Sequence, residues 1–276
     1  MSQKRNKSKG GYLAPPNGEA RVLHFYNTFH YGDHIFNLKF FLVNAAILKE
    51  RATQIHYYYD DAYATDRSEL DAYIDPDLVY LHPMTEKPES AVELWMGNDI
   101  GTLAQETDFE KYMTEFYKQL VGYLGLDDLT IDTSLFQKED YLLELHANLD
   151  PKFQNVDILV LNSPPASGQF PQYDQGKFDA LATRLSERYK VAVISAVNDI
   201  PCTRTDGLKL RDIGAVSTHA KYIIGMNSGP IVPCLNIYAK NSVKKWILFE
   251  ESLQHIFGDI ECNVSTNLNS TNQKIP

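Results

Sequence analysis

Cysteine is scarce in this chain. There are three among 276 residues, at positions 202, 234 and 262, with no C-x-x-C spacing. An odd, scattered set excludes a disulfide framework and a Cys-rich zinc site, and makes a reducing, cytoplasmic compartment the expectation. No stretch reaches the roughly 20 apolar residues of a membrane span, so no integral membrane segment is expected. The N-terminus has no apolar run of the kind a signal peptide needs. Positive charge is also in deficit: 26 Lys and Arg face 36 Asp and Glu, for a net charge of −10. An acidic body excludes a general nucleic-acid binder, which needs a basic face for phosphates. An anionic ligand remains open, because backbone N–H groups do not enter the charge count. There is no G-x-G-x-x-G fingerprint, no clear D-x-D and no internal repeat.

What is present is globular: 43% hydrophobic and 22% charged residues, in a length that suits one large domain or two ordinary ones. Residues 1–18 hold four bases (Lys4, Arg5, Lys7, Lys9) and no acid, and read as a disordered basic leader. Residues 263–276 are rich in Asn, Ser and Thr and read as a flexible tail. Between them, short apolar runs alternate with longer amphipathic ones. Strands are expected at 21–26, 54–59 and 78–81, with helices at 33–50, 67–73 and 109–124. Residues 142–148 fit a helix turn or a short strand. A second series begins near Pro151, with strands at 157–162, 190–195 and 222–226, and helices at 173–188, 209–220 and from Gly229 onward. The pattern at 243–249 fits either strand or helix, and 250–257 reads as helix. Such alternation implies parallel sheets with right-handed crossovers. The expected fold is therefore α/β, with two Rossmann-like domains, 19–150 and 151–262, facing a cleft. Ligands in such folds sit at the carboxyl ends of the strands.

Several loops occupy that position. Asn27-Thr28-Phe29-His30-Tyr31-Gly32-Asp33-His34 joins the first strand to its helix. Gly32 permits a tight turn, and Asp33 either caps the helix or acts as a general base, with His30 and His34 beside it. In the second series, Met226-Asn227-Ser228-Gly229-Pro230 follows a strand. Gly229 allows close backbone approach and Pro230 suits a first helical turn, so this turn offers N–H donors to a phosphate or diphosphate. Asn162 and Ser163 begin a loop of small polar residues running to Gln169. Ser195, Asn198 and Asp199 follow the next strand. Both loops are expected on the same cleft edge as Ser228, and each also reads as a plain connection.

These residues resemble the GT-B glycosyltransferases, especially the heptosyltransferase-like group (family 9-like). Gly32-Asp33 after the first strand is similar to the Gly-Asp of that group, whose Asp is the presumed base. The segment 210–230, which includes Asp212 and ends in Asn227-Ser228-Gly229-Pro230, resembles the helix, strand and turn that hold the donor diphosphate. Residues 165–188 echo the first loop and helix of their second half. The resemblance implies a metal-independent, inverting transfer of a sugar from a nucleotide-diphosphate sugar to a glycan or other hydroxyl acceptor, with no further cofactor. Asp33, His30 and His34 would be catalytic. Asn162, Ser163, Gln169, Ser195, Asn198, Asp199, Asp212, Asn227, Ser228, Gly229 and Pro230 would meet the donor. The group often has Lys or Arg where this chain has Gln169; Arg204, Lys209 or Arg211 could supply that charge. Two alternatives stand beside this reading. One is a metal-dependent GT-A-like transferase holding Mg²⁺ or Mn²⁺ on Asp60 and Asp61; the other is a non-catalytic nucleotide or sugar binder.

Overall fold

The computed structural model describes residues 21–62, 64, 66–94, 109–125, 129, 139–164, 173–226 and 228–249. The basic leader, Gln169, Asn227, the expected helix at 250–257 and the polar tail lie outside these residues.

Two four-stranded sheets form, and every described strand pair is parallel. The first contains β1 (Arg21–Asn27), β2 (Thr53–Tyr59), β3 (Val79–Pro83) and β4 (Val92–Glu93), in the order β3-β2-β1-β4. The second contains β5 (Ile158–Leu161), β6 (Val191–Val193), β7 (Tyr222–Gly225) and β8 (Lys245–Leu248), in the order β6-β5-β7-β8. In each sheet the chain first adds strands on one side and then crosses to the other. The switch points fall between β1 and β4 and between β5 and β7. In sheets of this order the loops leave in opposite directions there, and the carboxyl edge is where a ligand crevice is expected.

The helices are α1 (Tyr31–Val43), α2 (Ala45–Glu50), α3 (Ser68–Asp71), α4 (Phe109–Leu124), α5 (Tyr141–Asn148), α6 (Gln175–Ser186), α7 (Leu210–Ser217) and α8 (Ile237–Ser242). The expected helix at 33–50 is divided at Asn44. Its buried side-chain amide donates to the Phe40 carbonyl at 3.0 Å, a local bond that competes with the helical ladder. The segment from Gly229 is a 3-10 helix, Gly229–Cys234, with Pro233 inside it. Pro233 removes a backbone donor inside it and shortens what was expected to be an α-helix, whereas Pro230 sits in the first turn, where the missing donor is tolerated. Residues 141–148 are helical, and 245–248 form the edge strand β8. The short strand β4 was not expected; two residues carry too little pattern to read.

One hydrophobic cluster runs through both sheets, from Leu23, Phe25 and Ile55 to Leu159, Ile223 and Trp246. A second cluster, including Ile158, Val160, Phe178, Val193 and Ile224, covers the other face of the second sheet. Among the described residues the first sheet has a core cluster on one face only. Leu23, Phe25, Ile55, Tyr57, Val79 and Leu81 enter the core, while Val22 and Tyr80 point outward and are 44% and 38% exposed.

Candidate active site

The loop after β1 is held from below. Asn27 is fully buried; its Nδ2 donates to the Leu94 carbonyl at 2.7 Å and its Oδ1 accepts from the Phe29 N–H at 2.8 Å. His30 is the N-cap residue of α1, in extended conformation, and its carbonyl accepts from the N–H groups of Asp33 and His34. Asp33 is thus the third helical residue. Its half-buried carboxylate lies toward its own N–H and that of His30, and both favour its ionised form. Burial pushes the carboxyl up to about 6, against the pull of those two N–H donors. Cap and base are therefore compatible here, because the N–H donors face the carboxylate while burial tunes it.

The two neighbouring histidines divide. His30 is half-buried, and burial lowers its imidazole from the ordinary range. His34 is fully buried, pushed down to about 4 by loss of solvent. Its Nδ1 lies 2.9 Å from the Tyr57 hydroxyl, which accepts from Asn37 Nδ2 at 2.9 Å. The Tyr57 proton therefore points to His34 Nδ1, leaving the imidazole neutral with its proton on Nε2. Asn37 also reaches the Leu94 carbonyl, at 2.8 Å. So His34 turns into the sheet–helix interface rather than toward an acceptor, and the expectation that it serves as a base is corrected to a supporting role. Asn27, Asn37 and Tyr57 were not singled out from the sequence. Asn37 within an otherwise apolar helix was the available signal.

Gly32 has a different purpose from the one expected. It is not among the glycines with positive φ, so no turn requires it. A Cβ there would lie 2.9 Å from Val232 Cγ2 on the 3-10 helix. Glycine lets the start of α1 close onto the element that begins at Ser228-Gly229, bringing the loops after β1 and β7 together. Ser228 is extended at the N-cap, and a Cβ on Gly229 would meet nothing within 4 Å. Ser228, Gly229 and Pro230 are all half-buried. Among the described residues, the Ser228 and Gly229 N–H groups donate to no acceptor, as at any helix start.

Asn162 and Ser163 stand at the second switch point, and both are buried. The Asn162 side chain is committed within the protein. Its Oδ1 accepts from the N–H groups of Ile194 and Ser195 at 3.0 and 2.9 Å, and its Nδ2 donates to the Ser195 carbonyl at 3.0 Å. It staples the ends of β5 and β6, so direct donor contact by this side chain is corrected to support of the crevice. Tyr173, also overlooked in the sequence, donates to the Asn162 carbonyl at 2.6 Å. Arg204 is exposed and bears electrostatically on Tyr173, which brings a cation toward that crevice. Ser195 is half-buried, but its hydroxyl oxygen is buried and bonded to nothing among the described residues.

Asn198 and Asp199 leave the expected edge. After β6 the chain doubles back: Val193 N–H donates to Pro201, Thr203 N–H donates to Val193, and Val193 and Cys202 form a parallel bridge. The reversal uses Asn198 at φ +47°. Both residues consequently line a hollow of about 450 Å³ beside Lys190 and Val191, at the amino end of β6. They cannot join Ser228 at the carboxyl edge. Asp212 is the third residue of α7 and accepts the Lys209 N–H at 2.8 Å; it caps rather than reaching into a crevice. Nearby, Glu69 of α3 accepts the Leu210 N–H at 2.7 Å and Asp66 meets Lys209 Nζ at 2.5 Å. These contacts tie the first half of the chain to the start of α7.

Asp60 accepts from the Ala62 N–H at 2.9 Å and Asp61 is exposed. Among the described residues no three His, Cys, Asp or Glu side chains group in a way that could hold a metal ion. No helix among them is long and apolar enough to cross a membrane.

Fold and site together define an α/β protein of two Rossmann-like parallel sheets whose carboxyl-edge loops meet through Gly32 and Val232. Among solved structures, a glycosyl transferase of family 9 from Veillonella parvula aligns over 90% of this chain and 88% of its own, with 15% identity and a TM-score of 0.48. The E. coli heptosyltransferase WaaC, with ADP-2-deoxy-2-fluoro heptose, aligns over 83% and 88%, with 10% identity and a TM-score of 0.40. The iron-containing dodecameric glycosyltransferase TibC of enterotoxigenic E. coli aligns over 84% of this chain and 58% of its own, with 16% identity and a TM-score of 0.39. No protein-family profile matches the chain, and no curated protein does. At these identities no neighbour's substrate transfers to this chain.

Proposed function

We propose that this chain is a glycosyltransferase of the GT-B type. It moves a sugar from a nucleotide-diphosphate sugar to a hydroxyl acceptor, with residues 19–150 meeting the acceptor and 151–262 the donor. One observation carries the reading. The Gly32–Val232 contact sets the half-buried carboxylate of Asp33 and the N–H groups at Ser228-Gly229 on elements that touch. Asp33, held up to about 6 by burial, takes the acceptor proton as the oxygen attacks the anomeric carbon. The bond from that carbon to the diphosphate oxygen breaks on the opposite face, which inverts the centre. The leaving diphosphate gains charge, and the backbone donors at Ser228 and Gly229 meet it. Asn227 and Gln169 belong to the proposed donor set by resemblance alone, and Arg204 is the candidate cation.

The test begins with thermal shift against UDP-, GDP-, ADP- and CMP-sugars, since a ligand of the folded state raises Tm. Turnover of the stabilising donor is then measured for the wild-type chain and Asp33→Asn. Binding without turnover in either protein leaves a sugar-nucleotide binder. Turnover abolished by a chelator and restored by Mg²⁺ or Mn²⁺ moves the reading to the metal-dependent alternative at Asp60 and Asp61.

A further inference from the structure

The outer face of the first sheet carries a ladder of rings. His24 on β1 and His56 on β2 are register partners, and His82 on β3 is the partner of Tyr58, one step further along that face. The His24 and His56 centroids are 5.1 Å apart. Those of His56 and His82 are 5.0 Å apart, with planes 3° from parallel. Tyr58 stacks on both His24 and His82, and Tyr80 lies 5.3 Å from His56. The polar edges interlock as well. His56 Nδ1 is 3.0 Å from His82 Nε2, His24 Nδ1 is 2.9 Å from the Tyr58 hydroxyl, and His82 Nδ1 is 3.3 Å from Glu86. On the same face, Glu93 stands beside Tyr26 in register and Lys87 lies over the Tyr26 ring.

We propose that this ladder is an acid-sensitive clasp across β1, β2 and β3. It holds while the imidazoles are neutral and loosens when they take up protons. An imidazole–imidazole hydrogen bond needs one unprotonated nitrogen, so a second proton on the His56–His82 pair removes it. Glu86 can offset one positive charge, at His82; Lys87 and Glu93 lie at Tyr26 on the same face. Burial, then mutual repulsion, lowers the imidazoles of both His24 and His56. The sign follows by linkage. An unfolded histidine takes a proton near pH 6.5, whereas these two resist it when folded, so stability present above that pH is lost as pH falls through and below it. Strands β5, β6, β7 and β8 contain no histidine, so the ladder belongs to the first sheet; the second half has a separate stacked pair, His146 and His219, beside α7. Strand β2 also carries Tyr57 on its inner face, so loosening it reaches the hub beneath Asp33.

The inference stands apart from the transferase reading and needs no substrate. Hydrogen exchange on the full chain, corrected for intrinsic rates, is compared at pH 7.5 and pH 5.5. Protection in β3 should fall by more than in β7. Buried His34 under Tyr57 adds its own acid-dependent loss to β2, so the readout is β3, where the excess should vanish in His56→Gln/His82→Gln. Equal loss in β3 and β7, or an excess that survives the double substitution, overturns the proposal. If the variant does not fold, imidazole titration by NMR on the unaltered chain decides. Mutually dependent titrations of His24 and His56 below 6.5 support the clasp, and independent ones near 6.5 refute it.

Discussion

The two sheets share a topology but not an environment. In the second sheet, β5 reads Ile-Leu-Val-Leu and is buried at every residue, with one core cluster on each face. In the first, β1 reads Arg-Val-Leu-His-Phe-Tyr-Asn, and burial alternates. Parallel sheets are usually covered on both faces, so the first sheet is the unusual one. Its exposed face holds titratable rings. Its carboxyl edge holds Asp33 over a buried polar hub of Asn27, His34, Asn37 and Tyr57. The second sheet puts its polar side chains to work as staples and caps, as Asn162 and Asp212 do. On the proposed reading this difference becomes a division of labour, with the reactive carboxylate in the first half and the backbone donors in the second.

The largest expected effect tests that division at its reactive end. Asp33→Asn should lower turnover of the donor by about 10²–10⁴-fold while the chain stays folded. The pH dependence of kcat/KM in the wild-type chain should fall away below about 6, where Asp33 takes up its proton. The same substitution should stabilise the fold. The folded carboxyl is raised from 3.8 to about 6, so the folded state binds the extra proton between those values; stability falls as pH rises across that range, and the loss is complete above about 6. A higher Tm for Asp33→Asn at pH 8, with the gain gone at pH 4, confirms the sign; full activity leaves Asp33 a cap alone.

Much of this arrangement was legible in the sequence, for reasons that can be named. Both β1 and β5 were expected as strands because short apolar runs stand out, but the alternation that marks the more open face of β1 was not read. The run at 31–43 shows its helix because its apolar residues recur almost without break. The site was less legible. Asp33 and the turn at 228–230 were found because loops after strands are few. Asn198 and Asp199 were misplaced because a chain reversal after β6 depends on hydrogen bonds from Val193 to Pro201 and from Thr203 to Val193, which leave no local pattern. Gly32 was noticed and misread, since its reason is a side chain two hundred positions away along the chain. His24, His56 and His82 stand 26 or more positions apart, and only strand register brings them together.

The second sheet can be attacked directly. Ile224 is 1% exposed, in the cluster on the second sheet's outer face. Ile224→Ala should cost about 2–5 kcal/mol in denaturant unfolding, the range for a buried large-to-small change. The joint between the halves comes next. Gly32→Ala places a methyl 2.9 Å from Val232 Cγ2, and overpacking of this kind costs about 1–3 kcal/mol. Adding Val232→Ala should recover most of that loss, since it removes the clashing atom. If the pair merely adds, the contact does not join the halves.

The smallest effect sharpens the contrast most. Val22 stands on the open face of β1 and is 44% exposed, though its neighbours Arg21 and Leu23 are buried on the other side. Its methyls bury little area from water, so Val22→Ala should change stability by no more than about 0.5 kcal/mol, the usual span for surface positions. On a sheet covered twice, a valine at the start of a central strand would lose more than that. A cost of about 1 kcal/mol or above in urea unfolding of the full chain means that something packs on this face in solution. The first sheet would then be two-sided after all, and its histidines would answer to a cover as well as to protons.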